Sequence, residues 1–400
     1  MNAWDFHCAG QLTVGRGAIG RSGAMAARRG WRRVWIATDR PLIEAGLVDR
    51  VAGPLREAGI AIEVYGEGMP EPSIERAQEA ASAARRFTPD AVLGLGGGSN
   101  MDLAKIVSVL LAHPGGPRDY LGFDRVPGPV GPLICVPTTA GTGSEVSHSA
   151  VLTDTSDRMK VSTLSPLLRP TLAIVDPAMT DGCPRRVTAD SGIDALVHAI
   201  EAYTATRAED LALEPGEAIG YSGGTPLTDP IAERAIELVG RHLARAVGEP
   251  NDREARDGMA LAATLAGIAF SNAGVALVHA LEYPIGGAFH CSHGAGNGLL
   301  LPHVMRFNLS VRADRMARIA ALLGVPVDGL RVEEAAERAI EAVEGLGAAI
   351  GIPARLREFG VPRAALPEMA RKAFAIRRLR LTNPRACEES DLLAILEAAH

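Results

Sequence analysis

The chain has 400 residues, 47% of them hydrophobic and 22% charged, and a formal net charge of −6. That length calls for two hydrophobic cores, and the composition is that of a folded globular protein rather than a disordered one. The acidic balance excludes the basic face that nucleic acid demands, and the apolar runs stop well short of the roughly 18 residues a membrane span needs.

In chain order, RRVWIAT (32–38) reads as a strand, Pro41–Ala58 as a helix and AIEVYG (61–66) as a strand. Ser73–Phe87 follows as a helix and AVLGLG (91–96) as a strand, with a further helix from about Asn100. LICVPT (133–138) and LAIVDP (172–177) are two more apolar strands. Strands alternating with helices predict a parallel sheet covered on both faces. From Ser191 onward the 3.6-residue period dominates, most clearly over Asp229–Val247, Arg253–Phe270, Ala313–Leu323 and Val332–Ile350. The expected domains are therefore an α/β domain over 1–182 and an all-helical domain over 183–400. Arg207–Thr228, rich in Gly, Pro and acidic residues, reads as a long loop between helices.

The run GLGGGSNMDLAK (94–105) leaves a strand and opens a helix. Gly96, Gly97 and Gly98 let an anion approach the backbone, and the helix start adds free amides and a positive dipole end. Ser99 reads as the N-cap, with Asp102 completing a capping box. A second loop, PTTAGTGSEVS (137–147), gathers Thr138, Thr139, Thr142, Ser144 and Ser147 around two glycines, a set of neutral donors suited to a nicotinamide ribose. Asp39 closes the first strand, where a carboxylate accepts ribose hydroxyls and repels a 2′-phosphate. It precedes the glycines, so the two do not form one standard dinucleotide fingerprint. Only three lysines occur, and Lys105 and Lys160 lie beside these motifs.

In SGIDALVHAIEAY (191–203), Asp194 and His198 stand four apart and share one helical face. Downstream, His279, His290, His293 and His303 fall within 25 residues of a chain with ten histidines. A carboxylate with imidazoles and no thiolate suits iron or zinc. The five cysteines (Cys8, Cys135, Cys183, Cys291, Cys387) are scattered without a CxxC pair, and the amino terminus lacks a signal-peptide pattern. Reduced thiols and a cytoplasmic location are the expectation.

Together GGGSxxDxAK, PTTAGTGSEVS, GIDALVHAIEAY and H-x13-HG-x2-N followed by LPHVMRFN resemble the iron-containing (group III) alcohol dehydrogenase family. The likeness runs from QLTVGRGAI to RLRLTNPRACEESDLLAI. It implies a Rossmann-like parallel-sheet domain followed by a helical metal-binding domain, in a homodimer or larger homo-oligomer. It also implies metal ligation by Asp194, His198, His279 and His293. NAD contacts would come from Asp39, Gly97, Gly98, Ser99, Asp102, Thr138, Thr139, Thr142, Ser147 and Lys160, beside Gly96 of the turn. His290 and His303 fall outside the family's ligand positions.

Two departures stand out. Many members carry a histidine four residues after the third ligand, where this chain has Tyr283, our candidate catalytic residue. The usual Asn-containing turn reads Pro70-Glu71-Pro72, which weakens any ribose contact there. With the long 207–228 loop, Tyr283 is similar to the hydroxyacid–oxoacid transhydrogenase branch. The implied reaction is hydride exchange between NAD(H) and a small primary alcohol or hydroxy acid, with one divalent ion, iron before zinc, as Lewis acid. A transhydrogenase with tightly held NAD, a dehydroquinate synthase-like lyase and a silent nucleotide-binding protein are the alternatives. Lyase substrates would call for more Lys and Arg beside the metal, and the site segments hold only Arg306.

Overall fold

In a computed structural model that describes residues 3–214 and 216–400, the chain divides into two compact units. One is Cys8–Cys183; the other is Pro184–His400 together with the described residues before Cys8. The division falls after Cys183, and residues 3–7 group with the helical unit rather than with the sheet. Asn272 explains this: its amide donates to His7 O at 2.9 Å and its Oδ1 accepts the His7 amide at 2.7 Å.

The first unit contains strands β1 (Leu12–Val14), β2 (Arg33–Ala37), β3 (Ala61–Tyr65), β4 (Ala91–Gly96), β5 (Gly122–Phe123), β6 (Leu133–Pro137), β7 (Ser149–Asp154), β8 (Met159–Leu164) and β9 (Leu172–Val175). Its helices are α1 (Ser22–Arg28), α2 (Arg40–Glu44), α3 (Leu47–Glu57), α4 (Ile74–Phe87) and α5 (Gly98–Ala112). Six strands form a parallel sheet in the order β1-β9-β6-β4-β2-β3. Period-two alternation feeds a core on each face: Trp35 and Ala37 enter one cluster with α4 and α5, while Val34 and Ile36 enter the other with α1 and α3. The helix expected over Pro41–Ala58 is two, because Gly46 adopts φ 72° and breaks it. The antiparallel β7–β8 hairpin, which joins β5 in a second sheet, was not anticipated.

The second unit is helical: α6 (Arg185–Thr204), α7 (Thr228–Gly248), α8 (Arg253–Ala273), α9 (Leu277–Phe289), α10 (His293–Leu322), α11 (Val332–Ile350), α12 (Leu366–Phe374), α13 (Arg377–Thr382) and α14 (Glu389–Ala399). Buried α6 packs against α7, α8 and α10. α10 comes close because its first turns carry glycine: a Cβ at Gly294 would lie 1.8 Å from Asp190 O. Among the described residues, 205–227 is irregular apart from one 3-10 turn and a bridge between Arg207 and Gly224, and is tied down by Arg207–Asp229 and Glu217–Arg377 ion pairs. No single described helix is long and apolar enough to cross a membrane.

Candidate functional site

In the first unit the chain order reverses between β2 and β4: β3 lies outside β2 on one side, while β4, β6 and β9 run out on the other. Open parallel sheets bind ligands beyond the carboxyl ends of strands at such a switch point. Asp39 follows β2, and the glycine turn follows β4. Gly96 takes φ 146°, a conformation reserved for glycine, and Gly97 rather than Ser99 is the N-cap of α5. Starting two residues earlier than expected, the helix carries Ser99 inside its first turn. There Ser99 Oγ accepts the Glu71 amide at 3.1 Å and caps nothing. Thr139 and Thr142 pack over the turn, at 3.4 Å and 2.9 Å from where Cβ atoms would stand on Gly97 and Gly98. The Thr138 amide donates to Gly96 O at 3.0 Å, joining the two loops.

Asp102 is no capping-box partner. It is buried and accepts Ser144 Oγ at 2.6 Å and the Val151 amide at 2.9 Å. Ser147 turns inward as well, 3.0 Å from the fully buried Lys105 ammonium, which also donates to Ser144 Oγ and Ser149 O at 2.8 Å. Burial pushes the Lys105 pKa down, against the opposing pull of Asp102. These residues brace the loop from beneath. Asp39 caps α2 through Leu42 N at 3.0 Å and accepts the Asn100 amide at 2.8 Å, so one residue of α5 ties the two strand ends together. The Pro-Glu-Pro turn has a partner of its own: Glu71 Oε1 lies 2.8 Å from Lys160 Nζ, and Glu71 adopts φ 52°.

In the second unit, α6 presents Asp194, His198 and Glu201 at successive turns of one face, all buried. α9 adds His279, Glu282 and Tyr283, and α10 adds His293 and Asn297. One ligand atom each from Asp194, His198 and His279 lies within 4.8 Å of the others. The Nε2 atoms of His198 and His279 stand 3.1 Å apart, and the His198 ring stacks on Phe270 with centroids 4.2 Å apart. His293 lies beside this trio, its ring centroid 5.4 Å from that of His279. His290 is exposed at the end of α9.

Sequence reasoning assigned no role to Glu201, Glu282 or Asn297, although each follows a ligand candidate by three or four residues and Asn297 closes the H-x13-HG-x2-N motif. Glu201 Oε2 lies 2.5 Å from His279 Nδ1, while its Oε1 accepts the Val278 amide at 2.8 Å. Glu282 Oε2 lies 2.5 Å from His293 Nδ1. A carboxylate behind Nδ1 fixes the proton there and turns the Nε2 lone pair inward, the arrangement metal-binding histidines use. Burial would raise the Asp194 carboxyl, yet it is held below its usual range, with the Asn297 amide donating to Oδ1 at 2.8 Å. Three buried carboxylates with inward-facing imidazole lone pairs are a donor set that fits a divalent cation of borderline softness.

Two family models match: "Iron-containing alcohol dehydrogenase" over residues 9–177 and "Fe-containing alcohol dehydrogenase family, C-terminal" over residues 217–400. The chain is 41% identical to long-chain-alcohol dehydrogenase 1 of Geobacillus thermodenitrificans, over 96% of this chain and 94% of that one. It is 37% identical to the NAD-dependent methanol dehydrogenase of Bacillus methanolicus, over 96% and 97% of the two chains. A crystal structure of 1,3-propanediol oxidoreductase superposes with a TM-score of 0.93 at 35% identity, covering 100% of both chains.

Proposed function

Because this chain belongs to the iron-containing alcohol dehydrogenase family, we propose that this oxidoreductase interconverts a small primary alcohol or hydroxy acid and its aldehyde or oxo acid, using NAD(H) and one divalent ion, iron before zinc. The observation that carries the reading is the meeting of Asp194, His198 and His279 donor atoms within 4.8 Å, backed by Glu201 and Glu282. When bound, the ion supplies a Lewis acid for the substrate oxygen and the nicotinamide takes or gives the hydride.

The chain's own residues do the rest. Asp194, His198, His279 and His293 hold the ion. Amides of the Gly96–Gly98 turn and the α5 start, with Ser99, bind the pyrophosphate. Asp39 accepts ribose hydroxyls, and Thr138, Thr139, Thr142 and Lys160 line the rest of the cofactor's path. Asp102 and Ser147 serve that path by bracing its loop. Tyr283, its ring centroid 6.4 Å from His279 and 6.2 Å from His293, offers a hydroxyl to the reacting oxygen. Among the described residues no two cysteines are joined in a disulfide, and we read the setting as reducing and cytoplasmic. We read the assembly as a homodimer or larger homo-oligomer, which sedimentation of the purified protein checks.

The test is NADH absorbance during turnover of a panel of short primary alcohols and hydroxy acids, with ferrous ion, zinc or chelator added. Metal-dependent NADH formation with at least one small alcohol or hydroxy acid is expected. A protein that binds both metal and NAD yet transfers no hydride with any member of the panel overturns the reading.

A further inference from the structure

Asn297 lies one helical turn beyond His293 on α10 and is fully buried. Its Nδ2 is 2.8 Å from Asp194 Oδ1, 3.2 Å from His279 Nε2 and 3.3 Å from His293 Nε2. Its Oδ1 is buried with no hydrogen-bond partner. A buried amide with one end unmatched is held in place by what its other end does. The three neighbours of Nδ2 are not equivalent. Glu201 and Glu282 occupy the Nδ1 sides of the two imidazoles, so their Nε2 atoms carry the lone pairs a cation takes. Asp194 has two oxygens, and Nδ2 engages only one of them. The other, Oδ2, faces His198 at 3.8 Å from Nδ1.

We propose that Asn297 is a positioning residue of the metal centre: its amide N–H holds Asp194 Oδ1 and so fixes the carboxylate beside the inward-facing Nε2 atoms of His279 and His293, where a divalent cation would be held. The inference rests on the metal reading above. It assigns the neutral amide a reason to be buried among acceptors. An apolar residue there leaves Asp194 free to rotate, and a cationic one competes with the metal. Glu201 and Glu282 orient imidazoles; Asn297 does the same for the one carboxylate of the proposed ligand set.

Cobalt(II) alone is the probe, titrated into apo protein against a chromophoric chelator, with affinity and visible bands both recorded. Wild type should bind one equivalent. Asn297→Ala should bind about 10- to 100-fold more weakly, with band positions unchanged because the ligand atoms are the same. Asn297→Ser, which keeps a donor, should recover part of the loss. Equal affinity in wild type and the Ala variant overturns the inference. So does a band shift that reports a changed coordination number, since Asn297 would then be a ligand. If the variants do not fold, a crystal structure of the metal-loaded wild-type chain decides. It should keep the amide within about 3.2 Å of Asp194 and outside the ~2.0–2.2 Å ligand distance. Wild type that takes up no cobalt overturns the metal reading itself, and this inference with it.

Discussion

Asp39 accepts the Leu42 amide with one carboxylate oxygen and the Asn100 amide with the other, so its charge and its cap are separable by substitution. Asp39→Asn keeps an acceptor for Leu42, and Asn100 can turn its Oδ1 to the new donor by giving up the 3.2 Å bond from its Nδ2 to Leu95 O. Its stability should stay within about 1 kcal/mol of wild type, whereas Asp39→Ala loses about 0.5–2 kcal/mol with the cap. The catalytic preference for NAD over NADP should narrow about tenfold in the Asn variant, the effect of ~1.4 kcal/mol of relieved repulsion. Wild-type efficiency equal with both cofactors sinks the assignment. Tyr283 calls for a different readout. It is buried beside two ligand candidates, and its hydroxyl separates from its packing in Tyr283→Phe. Hydride transfer should slow about tenfold or more, with metal content unchanged. A Phe variant at wild-type rate would leave Tyr283 a packing residue.

At the scale of elements, the closeness of α10 to α6 carries the proposed metal centre, because His293 and Asn297 ride on α10 while Asp194 rides on α6. Gly294→Ala puts a Cβ 1.8 Å from Asp190 O, so the helices must separate. Overpacking of this kind costs about 1–3 kcal/mol, and metal affinity should fall with it. Gly345→Ala, in the middle of α11 with nothing within 4 Å of its Cβ, should instead stabilise by up to about 1 kcal/mol. Equal melting temperatures for the two variants would refute the close-packing argument. The same elements divide what was legible in the sequence from what was not. β-branched runs and the 3.6-residue period located β2, β4, β6, β9, α7, α8 and α11, because burial on a face leaves that period. β7 and β8 were missed because Thr153, Asp154, Lys160, Ser162 and Thr163 are buried by segments distant in sequence, which no local pattern reports. Asp194 and His198 were legible from spacing. Glu201, Glu282 and Asn297 share such spacing, but only packing shows that they face inward. The link between Asp39 and the glycine turn depends on β2 pairing with β4, a long-range contact that sequence order conceals.

Over the whole molecule, pH and ligands should act on the two units separately. In the α/β unit, bonds from Arg118 hold the Asp154 carboxyl well below its usual range, against burial. Its depressed folded pKa makes that stabilisation complete above the unfolded value near 3.9 and lost as pH falls below it. In the helical unit, burial pushes the His242 pKa down. The unfolded chain therefore takes up that proton first, and stability begins to fall as pH drops below about 6.5. His242→Gln should flatten the loss between neutral pH and the carboxylate range, and a melting profile identical to wild type would assign that loss elsewhere. Ligands should divide the same way, since the proposed metal residues all belong to α6, α9 and α10, and the proposed dinucleotide residues to the α/β unit, in segments following β2, β4 and β6 and at Lys160 of β8. A ligand that binds only the folded state at 100 times its Kd adds about 2.7 kcal/mol. Hydrogen exchange should therefore slow in α6, α9 and the first turns of α10 when metal is added. With NAD(H) it should slow in α2, the start of α5 and residues 138–147. Chelation should reverse only the first set. If removing metal loosens residues 138–147 as strongly as α6, the two units do not open independently and the separate assignment of the ligands fails.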